Sequence, residues 1–263
     1  MTDATLTNAT NATNNTHAQD KRRVFITGSA DGLGYAAAKS LLEQGHEVVV
    51  HVRSSARLPA VKELVALGAS VVTADLSDVR QIRDLAHQVN ALGAMDAVIH
   101  NASIFSGPQL LVVNVVAPYL LTALIKRPRR LIYLSSSMHR DGSAGVSGMD
   151  WSGSESTGGY SDSKLFVTAF AAAVARRWSD CLSNAVDPGW VPTKMGGPDA
   201  PGDLRLGHVT QKWLAVSDDS EALTSGGYWH HQKRERTHPS VSDVAFQDNL
   251  LLALERATGK ALN

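Results

Sequence analysis

The sequence predicts an α/β protein: one Rossmann-type, doubly wound domain with a mostly parallel six- to seven-stranded sheet and helices on both faces. Three observations predict it. Short apolar runs alternate with helix-like stretches from Arg23 onward, as a parallel sheet buried on both sides requires. The 263 residues are 43% hydrophobic and 19% charged, enough for one sizeable core without a second domain. A glycine cluster, Thr27 to Gly34, falls between the first strand and the first helix.

Residues 1–20 are rich in Thr, Asn and Ala and read as a disordered tail, so the folded domain is expected over 21–263. Arg23 to Thr27 reads as the first strand, and Leu33 to Gln44 as an Ala-rich helix that stops at Gly45. His46 to Val52 is the second strand. Ser70 to Ala74, Asp96 to His100 and Arg130 to Leu134 supply three more, with helical material between them. Gln109 to Ile125 and Tyr160 to Trp178 are the longest helical candidates. Leu182 to Val186 is a sixth strand leading into Asp187-Pro188-Gly189. Residues 190–212, rich in Gly, Pro and Asp, read as a mobile substrate loop with room for a short helix. A seventh strand is expected around Gly227 to His231, and Ser242 to Ala257 closes a C-terminal extension over 232–263 with an amphipathic helix. There is no internal repeat.

Composition removes several classes of function. Lys plus Arg and Asp plus Glu both number 25, so no global field favours nucleic acid or an anionic membrane. Cys181 is the single cysteine, which excludes an internal disulfide or a cysteine-clustered zinc site and fits a reducing, cytoplasmic compartment. No apolar run is long enough to span a bilayer, and the N-terminus lacks the pattern of a signal peptide. The Asn-x-Thr triplets at Asn8, Asn11 and Asn14 are then by-products of composition.

Thr27-Gly28-Ser29-Ala30-Asp31-Gly32-Leu33-Gly34 occupies the strand-to-helix turn where glycines let backbone approach a pyrophosphate and a helix N-terminus offers it N–H groups. The spacing Thr-Gly-x-x-x-Gly-x-Gly resembles the cofactor loop of the short-chain dehydrogenase/reductase family. The resemblance can be followed from about Arg23 to about His231.

At the end of the second strand an acid would bond the ribose hydroxyls of NAD and repel the 2′-phosphate of NADP. Here stands His51-Val52-Arg53-Ser54, and Arg53 can pair with that phosphate, so NADP(H) is the expected cofactor, with Ser29 and Arg57 as helpers. The resemblance places Asp75-Leu76 against the adenine. It matches Asn101-Ala102-Ser103 to the family's Asn-Ala-Gly, with Ser103 departing and crowding the ribose. It carries Pro188, Gly189, Val191 and Thr193 to the loop beside the nicotinamide, Val191 facing its carboxamide and Thr193 a phosphate.

Tyr160 and Lys164 lie one helical turn apart on one face. A free tyrosine titrates near pH ~10, and a neighbouring ammonium together with a positive nicotinamide would stabilise its phenolate, so Tyr160 can act as acid or base. Leu131 to Ser137 is a strand ending in three serines at the interval of the family's catalytic serine. Strand alignment makes Ser136 the match, and Ser135 or Ser137 if the register slips by one. Its hydroxyl would bond the substrate oxygen. Asn114 matches the fourth catalytic member, whose main-chain carbonyl holds a water against the lysine. Pro118, four residues on, has no N–H to claim that carbonyl. Tyr160 and Lys164 would also contact the cofactor.

Between Asn101 and Asn114 the chain is shorter than the family pattern by roughly two to three helical turns, which widens the expected entrance and leaves assembly into a homo-oligomer open. Met138, His139, Met149, Trp151 and Trp190 follow strand ends facing the nicotinamide side and are candidates for the pocket wall or simply for the core. His230 and His231, adjacent in a strand, would point to opposite faces, and no metal is expected. The leading expectation is an enzyme that reduces a ketone or aldehyde small-molecule substrate with NADPH, or oxidises the alcohol. Reduction of an imine or activated alkene, a non-catalytic NADP(H) sensor, and a sugar-nucleotide epimerase are the alternatives.

Overall fold

The computed structural model describes residues 21–262, so the tail expected over 1–20 lies outside the described residues. Strands β1 (Arg23–Ile26), β2 (Glu47–Val52), β3 (Ser70–Thr73), β4 (Ala97–His100), β5 (Arg130–Leu134), β6 (Leu182–Asp187), β7 (Tyr228–His230) and β8 (Lys233–Arg234) form one sheet. Their order is β3-β2-β1-β4-β5-β6-β7-β8. All neighbours pair in parallel except β7 and β8.

The eighth strand is an addition to the six or seven expected. With two residues it is too short to carry an alternating pattern. The chain reverses into it through His231 and Gln232, at φ 47° and 61°, the left-handed pair that a tight hairpin turn needs. His231 has therefore left the strand. Its ring does not point away from His230 as strand geometry would demand, but stacks on it at 3.9 Å and 24°.

The helices are α1 (Gly32–Glu43), α2 (Lys62–Ala66), α3 (Val79–Ala91), α4 (Ala117–Leu124), α5 (Tyr160–Arg177), α6 (Leu204–Gly207), α7 (Val209–Val216) and α8 (Val244–Thr258). Alternation along the strands divides the apolar residues into two cores. In β1, Val24 and Ile26 join α1, α2 and α7 on one face, while Phe25 joins α3, α4, α5 and α8 on the other. Helix α3 shows the local logic: the Asp78 carboxylate caps the Arg80 N–H, and Ile82, Leu85, Ala86 and Val89 make one buried stripe.

The helix expected over Gln109 to Ile125 is not uniform. It widens to a π turn over Val112–Val116, with the Ala117 N–H reaching back to the Val112 carbonyl, before continuing as α4. Pro118 explains the widening, because in a regular helix its ring collides with the carbonyl four residues back, that of Asn114. The 190–212 segment contains α6 and the start of α7. The C-terminal extension folds onto its own chain: α8 buries Leu250 and Leu254 in the α5 core, and Arg176 and Arg177 bond Gln247 and Asp248. Among the described residues, no helix is long and apolar enough to cross a membrane.

Strand order reverses direction between β1 and β4, and in such sheets the crevice for a ligand opens beyond the carboxyl ends of those strands.

Candidate active site

A cavity of about 790 Å³ fills that crevice. The loop after β1 forms its floor. Gly28, at φ 67°, adopts a conformation that suits glycine, and a Cβ there would meet the Ala102 backbone at 3.0 Å. Thr27 Oγ1 accepts the N–H groups of Asn101 and Ala102, each at 3.0 Å, and Asn101 Nδ2 donates to the carbonyls of Thr27 and Gly28. The ends of β1 and β4 are thereby tied into one rigid cradle. At Gly34 a Cβ would lie 2.5 Å from both Asn101 Nδ2 and the Gly28 carbonyl oxygen. Gly34→Ala is expected to destabilise the fold by about 1–3 kcal/mol, read as a lower denaturant midpoint; an unchanged midpoint would show that the loop can yield.

Gly28, Asp31, Gly32, Leu33, Arg53, Asp75, Leu76, Asn101, Ala102, Ser103, Pro188 and Thr193 line the cavity, with Tyr160 and Lys164 at the other end. Ser29, Gly34, Gly189 and Val191 do not. Ser29 is a correction: it is fully buried, and its hydroxyl donates to the Ile26 carbonyl at 2.6 Å, so it fastens the loop instead of reaching a phosphate. Val191 is buried as well, its side chain lying beneath the loop against Gly202 and Gly207, not toward a carboxamide.

Charge in the cavity is concentrated at the β2 end. Arg53, Arg57 and Lys194 line it, and no acid ends β2. Asp31 is held by Arg57 and Lys194, both at 2.7 Å. Asp75 accepts the Ser77 N–H and hydroxyl and stands 3.9 Å from Arg53.

Tyr160 opens α5 at the opposite end. The Phe105 ring lies 4.8 Å from the Tyr160 ring. Burial and then the Asp187 carboxylate push the phenol up to about 12, with the Ser103 hydroxyl drawing it slightly down. That hydroxyl is buried beside the phenol and makes no hydrogen bond of full geometry among the described residues. Lys164 is 2% exposed; its Nζ donates to the Leu134 carbonyl at 2.8 Å and lies 5.2 Å from the Tyr160 ring centroid. Burial lowers its pKa to about 7, against an opposing pull from Asp187. The phenolate expected from the spacing is thus not the state these residues favour by themselves. Desolvation dominates, and Tyr160 is a neutral phenol at pH 7.

The three serines after β5 separate by environment. Ser135 is buried with its hydroxyl 2.6 Å from Thr168 Oγ1, and Ser137 is exposed. Ser136 is half-buried, and its Oγ accepts the Met138 N–H at 3.3 Å, which leaves its own O–H to donate. Of the three, Ser135 lines the cavity, and neither Ser136 nor Asn114 does. The Asn114 side chain accepts the Ile104 N–H, donates to the Ile104 carbonyl and donates to Ser163 Oγ, latching the segment after β4 to α5 and leaving the main-chain carbonyl to its own role.

The profile of the short chain dehydrogenase family matches residues 22–125. The short-chain dehydrogenase chry4 of Gibberella zeae is 37% identical over 253 residues, covering 90% of this chain and 97% of that protein. The chain belongs to the short-chain dehydrogenase family. Carbonyl reductase (NADPH) 1 of Sus scrofa, 28% identical, matches 74% of this short-chain dehydrogenase and is itself covered to 87%. A blue fluorescent protein from a metagenomic library, crystallised with NADPH, superposes with a TM-score of 0.66 at 24% identity, over 80% of this chain and 95% of its own, which shows a shared fold.

The short-chain dehydrogenase holds two residues that sequence reasoning passed over. In the sequence Asp187 reads only as the start of a turn, yet it is 5% exposed, its carboxylate accepts the Gly189 N–H and the Tyr228 hydroxyl, and it acts electrostatically on Tyr160 and Lys164. His51 was read as a strand residue. Its Nδ1 accepts the Gly28 N–H at 3.0 Å, so the proton sits on Nε2, which donates to the Ala74 carbonyl at 2.8 Å. Burial lowers its pKa to about 4. Between pH 6.5 and 4 the unfolded chain binds the proton and the fold does not, so stability falls as pH drops through that window, by up to about 3 kcal/mol. Unfolding at pH 7 and pH 4.5 should show a shallower acid loss in His51→Gln; an identical loss would remove His51 from the account. Met138 and Trp190 are exposed, and Met149 and Trp151 pack against the core; none of them, nor His139, lines the cavity.

Proposed function

We propose that this short-chain dehydrogenase reduces a ketone or aldehyde with NADPH. The observation that carries the reading is Tyr160: a neutral phenol, packed over a buried lysine, at one end of a cavity whose other end is a glycine cradle set with cations. The described residues fit the cofactor. The Gly28 and Gly34 positions leave no room for a Cβ, the Ser103 hydroxyl wants a partner, and Arg53, Arg57 and Lys194 suit a phosphate-rich ligand.

When bound, the nicotinamide supplies the hydride to the carbonyl carbon. Asn101, Ala102 and Ser103 would hold its ribose side, Asp75 and Leu76 the adenine, Arg53 the 2′-phosphate, and Pro188 and Thr193 the far side of the pyrophosphate. Tyr160 Oη gives a proton to the substrate oxygen as charge develops there, a transfer its high pKa suits because the phenol starts protonated. Ser136, the serine that matches the family pattern and the neighbour of the cavity-lining Ser135, would give its O–H to the same oxygen. Lys164, anchored on the Leu134 carbonyl, when protonated favours the phenolate left behind.

Apart from Lys164, the charged residues of the cavity wall, Asp31, Arg53, Arg57, Asp75 and Lys194, sit toward the phosphate end, whereas Val113 lines it with Tyr160 and Lys164 at the other, where Phe105 packs on Tyr160. Cys181, buried and unpaired, accords with a reducing cytoplasmic setting. The test is NADPH consumption with a panel of aldehydes and ketones, NADH run in parallel. Turnover with NADPH preferred supports the reading; NADPH binding without turnover of any carbonyl would sink it.

A further inference from the structure

The catalytic turn is connected to a part of the chain that has no role in the proposed reaction. Ser136 begins a 3₁₀ turn over Ser137–Asp141, and its carbonyl accepts the His139 N–H at 3.0 Å. The same carbonyl lies 2.7 Å from His139 Nδ1. On the other side of the ring, Nε2 lies 3.1 Å from the backbone N of His238, 99 residues away. A backbone N–H can only donate and a carbonyl can only accept. Nε2 therefore carries the lone pair, and Nδ1 carries the proton and gives it to Ser136. One neutral tautomer satisfies both ends, and the ring, 0% exposed, has no water to exchange with.

The surroundings hold that ring in place. It packs on Tyr228 of β7, centroids 4.5 Å apart. One residue on, Arg140 bonds the Glu235 carboxylate and the Arg236 carbonyl, both from the extension. His238 Nδ1 then accepts the Ser240 N–H, starting the short turn Pro239–Ser242 that leads into α8. The segment from Glu235 to His238 is thus laced to the turn that presents Ser136.

We propose that His139 is a positioning residue for Ser136, orienting it through the Ser136 carbonyl, and that the C-terminal segment holds His139 through the His238 N–H. This rests on Ser136 being the serine that donates to the substrate oxygen. Two bonds on one carbonyl fix the peptide that follows Ser136, and displacement of a catalytic group by about 1 Å can cost on the order of 100-fold in rate.

Three substitutions separate the two ends of the ring. Asparagine places an amide N–H near Nδ1 and keeps the bond to Ser136; glutamine places an amide oxygen near Nε2 and keeps the bond to His238; phenylalanine keeps only the packing on Tyr228. With carbonyl reduction as the readout, His139→Asn should keep kcat within about threefold, while His139→Gln and His139→Phe lose about tenfold or more, all with the KM for NADPH within about twofold. His238→Pro tests the far end, since His238 already sits at φ −56°; proline removes the N–H and also the half-buried ring that accepts the Ser240 N–H, a second loss that His238→Ala makes alone and so controls for. The proline variant should lower kcat by about as much as His139→Asn, since both break the bond between His139 and His238, and leave the KM for NADPH alone. Equal kcat losses in the asparagine and glutamine variants, or wild-type kcat in both His139→Gln and His238→Pro, overturn the proposal. Ser136→Ala, run beside them, keeps the two readings apart: wild-type kcat in that variant refutes the role of Ser136 itself, whereas a large loss there with an unaffected His139→Gln refutes only His139.

Discussion

Tyr160→Phe is expected to lower kcat for carbonyl reduction by about 10²–10⁴-fold while the affinity for NADPH changes little. The substitution removes one oxygen and keeps the ring, so the packing against Phe105 and the lysine beneath it persist. What disappears is, among the described residues, the only phenol lining the cavity, and with it the proton for the developing alkoxide. A loss of this size in kcat, with NADPH still bound as judged by fluorescence, marks an interaction made in the transition state. Retained turnover would mean that the proton comes from solvent, and the roles assigned to Tyr160 and Lys164 would fall together. Lys164 sharpens the expectation. Because burial brings its pKa to about 7, its charge is lost as pH rises through that point in the cofactor-free protein, and the phenolate loses its nearest support.

The fold could be read from the sequence because β1 to β7 are apolar runs whose burial alternates between two faces, and because Gly45 marks a helix end by its own chemistry. The two-residue β8 carries no such pattern, and neither does the π turn at Val112–Val116, although Pro118 is its cause and was visible. The cradle was legible for the same reason as the fold: glycines at fixed offsets after a strand have few other uses. What stayed hidden were side chains whose meaning depends on distant partners. Ser29 turns inward because the Ile26 carbonyl is there to accept its proton, and Asn114 serves by its amide because Ile104 and Ser163 converge on it. His51 and His139 gain their roles from bonds to Gly28 and His238, far away in sequence. Spacing along one helix or strand cannot announce such contacts.

Arg53→Glu is expected to raise the KM for NADPH by about 10- to 150-fold, the equivalent of the ~1.5–3 kcal/mol that a charge-assisted hydrogen bond contributes. The KM for NADH should fall or stay level, because the new carboxylate stands where NAD-binding sheets of this type carry an acid for the ribose hydroxyls. Among the three cations at that end, Arg53 is the one to change. Arg57 and Lys194 are each held by Asp31 at 2.7 Å, whereas Arg53 reaches Asp75 only at 3.9 Å and its side chain is 77% exposed. It can turn to a phosphate without giving up a strong partner. Arg57→Ala should therefore cost less NADPH affinity than Arg53→Ala, since Arg57 must be shared with the glycine loop. If the order is reversed, the 2′-phosphate lies nearer Arg57, and Asp31 rather than Asp75 is the acid that competes with it. If neither substitution separates NADPH from NADH, the discrimination does not reside at the end of β2, and the absence of an acid there has no bearing on cofactor choice.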